Sequence, residues 1–133
     1  MDVAIAQLQE AIHLNADLAD AHVALGDALS KKGDTEWALS EYRNGIRLKP
    51  DYTEAHLSLG SMLLAKHETD SAIAEFREGI RENPNDSHAH SMLGTALEVS
   101  GDRQGALSEY RSAYLMAPED AEIRANYERL LGK

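Results

Sequence analysis

A residue pattern that returns every 34 residues constrains this chain more than any other feature. Three copies follow one another without an insertion in 133 residues. The positions that coincide include three glycines and three prolines, namely Gly26, Gly60, Gly94, Pro50, Pro84 and Pro118. A fixed period of this length is typical of arrays in which each unit buries its apolar face against its neighbours, so no single central core is expected.

Each copy predicts two antiparallel helices. Apolar or small residues recur at helical spacing in both halves, for example at Leu25 and Leu29 and again at Ala38 and Tyr42. About four residues separate the halves, and so short a connection favours a helical hairpin. An alternation of period two persists nowhere, so strands are not predicted.

Polar residues and glycines predict where the helices begin and end. Gly33 and Gly101 predict left-handed ends of first helices, just before Asp34 and Asp102. In the middle copy His67 stands at the glycine position, where a left-handed backbone would strain it. The residues predicted to cap the first helices are Asp17, Asp51 and Asn85.

The repeat divides the chain into five predicted segments. Met1 begins in the middle of a unit, so we expect the natural protein to extend further upstream. Glu128 stands where the period demands glycine, which suits a helix that no further helix covers. The segments are a half repeat at 1–16, full repeats at 19–52, 53–86 and 87–120, and a capping helix at 121–133.

Composition excludes several classes of protein. A net charge of −10 argues against nucleic acid as a partner, because phosphates need a footprint of Lys and Arg. The charge either attracts basic partners or serves only solubility. Without cysteine, disulfides and thiolate zinc sites are impossible. No apolar run approaches the roughly 20 residues of a membrane span, and no secretory signal is visible, so a cytoplasmic location is predicted.

The recurring histidines His22, His56 and His90 suggest a metal site, but a structural role is predicted instead. Packed helices lie about 8–10 Å apart, too far for three rings to share one zinc ion at about 2 Å each. No nucleophile motif is present. No catalytic residue, metal or cofactor is therefore predicted.

The repeated residues resemble those of the tetratricopeptide repeat, whose pattern is W-x₂-L-G-x₂-Y, A-x₃-F and P. The first copy reads His22-x₂-Leu25-Gly26, then Ala38-x₃-Tyr42 and Pro50, and the resemblance covers nearly the whole chain. It implies an all-α, right-handed superhelical solenoid of antiparallel hairpins with about eight helices. The matching residues of the other copies are His56, Leu59, Gly60, Ala72, Phe76, Pro84, His90, Leu93, Gly94, Ala106, Tyr110 and Pro118.

The resemblance further implies that the first helices line a concave groove that binds a peptide or helix of a partner. This surface would be a modest apolar strip edged by carboxylates, which suits an amphipathic or basic segment. A solvated face without a ligand is the alternative. The groove residues carried over by position are Asp20, Val23, Asp27, Ser30, Lys31, Glu54, Leu57, Ser61, Leu64, Ala65, His88, Ser91, Thr95, Glu98 and Val99.

Two specialised grooves of the family do not match this sequence. One holds a terminal carboxylate with a Lys/Asn/Arg clamp, and the other grips peptide backbone with a ladder of asparagines. The positions of the clamp hold Val23, Asp27, Leu57, Ser61, Ser91 and Met92 here. The region of the ladder holds Val23-Ala24, Leu57-Ser58 and Ser91-Met92, without an asparagine.

The sequence therefore predicts a non-catalytic scaffold for protein–protein interaction. One alternative is self-association, because a half repeat without its partner helix would offer the apolar side of Val3, Ile5, Leu8 and Ile12 to another copy. Another alternative is the repeat arm of a larger enzyme.

Overall fold

The computed structural model describes residues 2–15 and 17–132, and these form eight α-helices and no strand. None of the eight is long and apolar enough to cross a membrane. The predicted all-α solenoid is confirmed. Met1, Ala16 and Lys133, which belong to the predicted half repeat and capping helix, lie outside the described residues. The helices are α1 (Asp2–Leu14), α2 (Ala19–Lys32), α3 (Thr35–Leu48), α4 (Thr53–Ala65), α5 (Thr69–Glu82), α6 (Ser87–Ser100), α7 (Arg103–Met116) and α8 (Ala121–Leu131).

The hairpin turns have the predicted left-handed residues. Gly33 and Gly101 have φ values of 94° and 93°. His67 is the one non-glycine residue of the described chain with a positive φ, at 67°. The amide after it, that of Glu68, donates to the carbonyl of Leu63 at 2.9 Å, which repeats the bond from Asp34 to Leu29 in the first hairpin. His67 therefore adopts a glycine conformation in an otherwise identical turn.

The predicted caps of the first helices are wrong by one residue. Helices α2, α4 and α6 are capped by Leu18, Tyr52 and Asp86, not by Asp17, Asp51 and Asn85. For α4 and α6 the cause is a turn at the preceding proline, in which the amide of Tyr52 donates to the carbonyl of Lys49 and that of Asp86 to the carbonyl of Asn83. Of these three caps, only the Asp86 side chain accepts a hydrogen bond, from the amide of Ala89 at 3.1 Å.

An aromatic ring packed on a glycine holds each hairpin together. A Cβ placed on Gly60 would lie only 2.7 Å from Cε1 of Phe76, so a side chain does not fit there. The small residue on the second helix, Ala72, is fully buried. The same pairings join α2 to α3 and α6 to α7, through Gly26 with Tyr42 and Gly94 with Tyr110.

Histidines at the start of the second and third hairpins bond back to the proline turn that precedes them. His56 lies 2.7 Å from Glu75 through Nδ1 and 2.8 Å from the carbonyl oxygen of Pro50 through Nε2. His90 makes the equivalent contacts with Glu109 and the carbonyl of Pro84. A carbonyl only accepts, so Nε2 carries the hydrogen in both rings. The histidines thus have a structural role, and the described residues contain no group of three or more potential ligands that could hold a metal.

The apolar side of α1 is largely covered within the chain. Ile5 is only 6% exposed, and Leu8 and Ile12 pack against the core. Of the four residues predicted for self-association, Val3 alone is well exposed, at 71%. This face therefore offers little apolar surface to a second copy.

We predict that Gly60→Ala lowers the free energy of unfolding by about 1–3 kcal/mol, because the added methyl overpacks against Phe76. Glycine to alanine within a helix is otherwise stabilising, by about 1 kcal/mol. Urea unfolding followed by circular dichroism measures the change. Ser40→Ala, at an exposed position of α3, is the control and should alter stability by less than about 0.5 kcal/mol. An unchanged or raised stability of Gly60→Ala would contradict this packing.

We also predict that His67→Gly raises the free energy of unfolding by about 1 kcal/mol, because glycine adopts a left-handed backbone without strain. The change appears as a higher Tm in thermal unfolding. His67→Ala is the control, since it removes the imidazole but keeps the strained backbone. If the alanine variant gains as much as the glycine variant, the strain lies in the side chain and not in φ.

Candidate functional site

Three adjoining depressions run along the first helices, and we call this surface the groove. Their volumes are about 330, 330 and 390 Å³, and Ser61 of α4 lines all three. All three are open to solvent. The lining residues are Ser30, Thr35, Tyr42, Glu54, Leu57, Ser58, Ser61, Met62, Leu64, Ala65, Lys66, Phe76, His88, Met92 and Thr95.

The depressions contain some of the predicted groove residues but not others. Those that line them are Ser30, Glu54, Leu57, Ser61, Leu64, Ala65, His88 and Thr95. Those that do not are Asp20, Val23, Asp27, Lys31, Ser91, Glu98 and Val99. Met62 and Met92 line the groove without having been predicted for it, although a flexible, unbranched thioether suits an adaptable binding surface.

Val23 and Ser91 are absent from the depressions because they lie inside the hairpins. Val23 is 3% exposed, and its Cγ2 would be 2.7 Å from a Cβ placed on Gly45. Leu57 packs in the same way on Gly79, and only its edge reaches the groove. These side chains stabilise the hairpin and offer little or no surface to a partner.

Tyrosine hydroxyls engage two of the predicted carboxylates. Tyr42 donates to Oδ1 of Asp27 at 2.7 Å, and Tyr110 donates to Oε1 of Glu98 at 2.9 Å. Glu98 also accepts two hydrogen bonds from the guanidinium of Arg129 on α8, at 2.7 and 2.8 Å. Glu98 therefore holds the last helix to the array and is not free to bind a basic partner.

Carboxylates of α2 and α4 make the neighbourhood of Tyr42 and Tyr52 acidic. Burial and then a hydrogen bond to Asp20 raise the pKa of Tyr52 to about 12, with further contributions from the charges of Glu54 and Asp27. Burial and the contact with Asp27 likewise raise the pKa of Tyr42. Three carboxylates thus lie near two tyrosines. Lys66, the one lysine lining the depressions, is paired with Glu36.

Known proteins share this architecture. The tetratricopeptide repeat family model matches residues 23–87. The crystal structure of MamA is similar at 18% identity, covering 96% of this chain and 75% of MamA with a TM-score of 0.89. YrrB, described as a TPR protein with an unusual peptide-binding site, is 23% identical over 93% of this chain and 64% of its own, with a TM-score of 0.85.

The first TPR of Spaghetti (RPAP3), bound to the HSP90 peptide SRMEEVD, is a further similar structure. It is 17% identical over 86% of this chain and 90% of its own, with a TM-score of 0.82. At these identities the likeness shows the fold alone. No curated protein matches the chain in sequence.

We predict that the protein loses stability as the pH rises from 10 to 12. Tyrosine in the unfolded chain ionises near pH 10, whereas Tyr52 in the folded chain keeps its proton to about pH 12. The unfolded state therefore binds fewer protons in this window, and the free energy of unfolding falls. Below pH 10 the stabilisation that comes from the raised pKa of Tyr52 is fully present.

Urea titrations at pH 8, 10 and 12 measure this loss, and Tyr52→Phe should make it smaller. For each protein the loss is taken relative to its own free energy of unfolding at pH 8. The hydrogen bond that Tyr52→Phe removes is absent from the variant at every pH and so does not affect the comparison. An equal loss in the two proteins would show that Tyr52 does not contribute.

Proposed function

Since the chain belongs to the tetratricopeptide repeat family, we propose that it is a non-catalytic scaffold whose groove binds a segment of a partner protein. The observation that carries the proposal is the continuity of the three depressions along α2, α4 and α6, with Ser61 at their common centre. An extended or helical segment fits such a surface. Small-molecule sites are usually enclosed pockets, whereas these depressions are open.

The charge of the groove indicates a basic or amphipathic partner. Glu54 of α4 is an exposed carboxylate that lines the groove, and Asp20 of α2 is an exposed carboxylate outside the depressions. The chain as a whole carries a net charge of −10. The HSP90 peptide SRMEEVD bound by the similar structure contains three acidic residues. Such a peptide would meet like charges here, and the clamp that the family uses for a terminal carboxylate is missing from the sequence.

Methionines and serines line the centre of the groove and suit it to a peptide. Met62 and Met92 are partly exposed, and their side chains can adapt to the shape of an apolar residue. Ser58 and Ser61 line the same depression, and their hydroxyl groups can donate to or accept from a peptide backbone.

We predict that the double variant Ser61→Arg/Ala65→Arg no longer binds the partner. Both residues are exposed and line the depressions, so the substitutions fill the groove and oppose a basic segment without disturbing the core. Leu57 is unsuitable for such a test, because it is buried on Gly79 and a charge there would unfold the hairpin.

The measurement is capture of proteins from a cell extract by the wild type and by both variants, followed by mass spectrometry. The matched control is Ser71→Arg/Ala74→Arg, which makes the same two substitutions at exposed positions of α5 outside the depressions. Partners retained by the wild type and by the control, but lost from the groove variant, support the proposal. Equal retention by all three proteins would refute it.

A further inference from the structure

The middle hairpin differs from its neighbours by the absence of one hydroxyl group. A Cβ placed on Gly60 would lie 2.7, 2.8 and 3.1 Å from Cε1, Cδ1 and Cζ of Phe76. The distances from Gly26 to the same atoms of Tyr42 are identical. The two rings therefore occupy the same place in their hairpins, and only Tyr42 carries a polar group at its tip.

The residues that face the tip of the ring are also less polar in the middle hairpin than in its neighbours. The hydroxyls of Tyr42 and Tyr110 donate to Asp27 and Glu98. The positions of those two carboxylates in the middle hairpin are Ser61 and Leu64, 34 residues away in each case. The ring of Phe76 therefore faces a leucine and a small hydroxyl where its counterparts face an acid.

This difference leaves a mainly apolar depression at the centre of the groove. Its volume is about 330 Å³, and α4, α5 and α6 all contribute to it. We call it the Phe76 pocket. Its lining residues are Ser61, Leu64, Ala65, Phe76, Met92 and Thr95.

We propose that the Phe76 pocket anchors one large apolar side chain, such as Leu, Met or Phe, of a basic peptide segment bound in the groove. The inference rests on the proposed function and adds the residue that fixes the register of the segment. A single apolar anchor in a pocket commonly supplies most of the affinity of an interface. In the first hairpin the corresponding depression is lined by Tyr42, whose hydroxyl is bonded to Asp27, so the place taken by the apolar tip of Phe76 is polar there. In the third hairpin the hydroxyl of Tyr110 and the carboxylate of Glu98 have the same effect.

The carboxylates set the spacing between the anchor and a cation. Glu54 and Leu64 lie ten residues apart on α4, which is about 15 Å along a helix axis. An extended peptide spans that distance in about four to five residues. The segment should therefore carry Lys or Arg about four to five residues from its apolar anchor.

A phage-displayed library of random 12-residue peptides, selected on the full chain, tests the proposal. We expect the enriched peptides to share one large apolar residue and a Lys or Arg at this spacing. Enrichment of acidic peptides, of peptides without an apolar residue, or of none would overturn the inference.

Affinities of one enriched peptide for designed variants then locate the anchor. Phe76→Tyr/Ser61→Asp gives the middle hairpin the pair found in the first hairpin, so the fold tolerates it. We expect at least tenfold weaker binding, although the added negative charge by itself would favour a basic peptide. Tyr110→Phe removes the equivalent hydroxyl in the third hairpin, at a residue that does not line the depressions. It is the control and should alter the affinity less than threefold.

Replacing the apolar residue of the peptide with alanine completes a double-mutant cycle. The replacement should weaken binding to the wild type at least tenfold and binding to Phe76→Tyr/Ser61→Asp much less. If the two losses are equal, the anchor lies elsewhere and the inference fails. If Ser61→Arg/Ala65→Arg abolishes binding while Phe76→Tyr/Ser61→Asp does not, the groove is correct and the Phe76 pocket is not. Binding unaffected by either variant would refute both.

Discussion

The contact between an aromatic ring and a glycine is the interaction on which the rest of this structure depends. With no Cβ on Gly26, Gly60 or Gly94, the ring of the second helix reaches the backbone of the first. The rings of Tyr42 and Phe76, although only 2% and 1% exposed, lie directly beneath the surface that forms the groove and line two of its depressions. A single packing rule therefore sets both the approach of the helices and the chemistry of the surface they expose.

At a second pair of facing positions, one on each helix of a hairpin, a larger side chain on one helix is matched by a smaller one on the other. Val23 and Leu57 are opposite glycines, Gly45 and Gly79. The third hairpin has a smaller residue, Ser91, on its first helix and Ala113 on its second, and both are buried. The volume inside the hairpin is shared between two helices, so a larger residue on one requires a smaller residue on the other. Such residues vary between copies for reasons of packing and not of recognition.

The repeat predicted the helices and turns well, because both depend on residues close together in sequence. The left-handed conformation of His67, for example, follows from the glycines at the same position in the other copies. The site was predicted less well, since exposure depends on contacts between helices. Val23 is covered by the following helix, and Glu98 is held by Arg129, 31 residues further along the chain. No local spacing reveals a partner so distant.

The histidines that reach back to a proline carbonyl bear on how the array comes apart. Units that touch only their neighbours can in principle melt one at a time from either end. Separating two units here breaks the bond from His56 to Pro50, or from His90 to Pro84, and exposes a donor and an acceptor that were paired. Partial fraying therefore costs the free energy of a hydrogen bond in addition to that of the apolar contact. The junctions therefore favour cooperative unfolding, in which adjacent hairpins are lost as one.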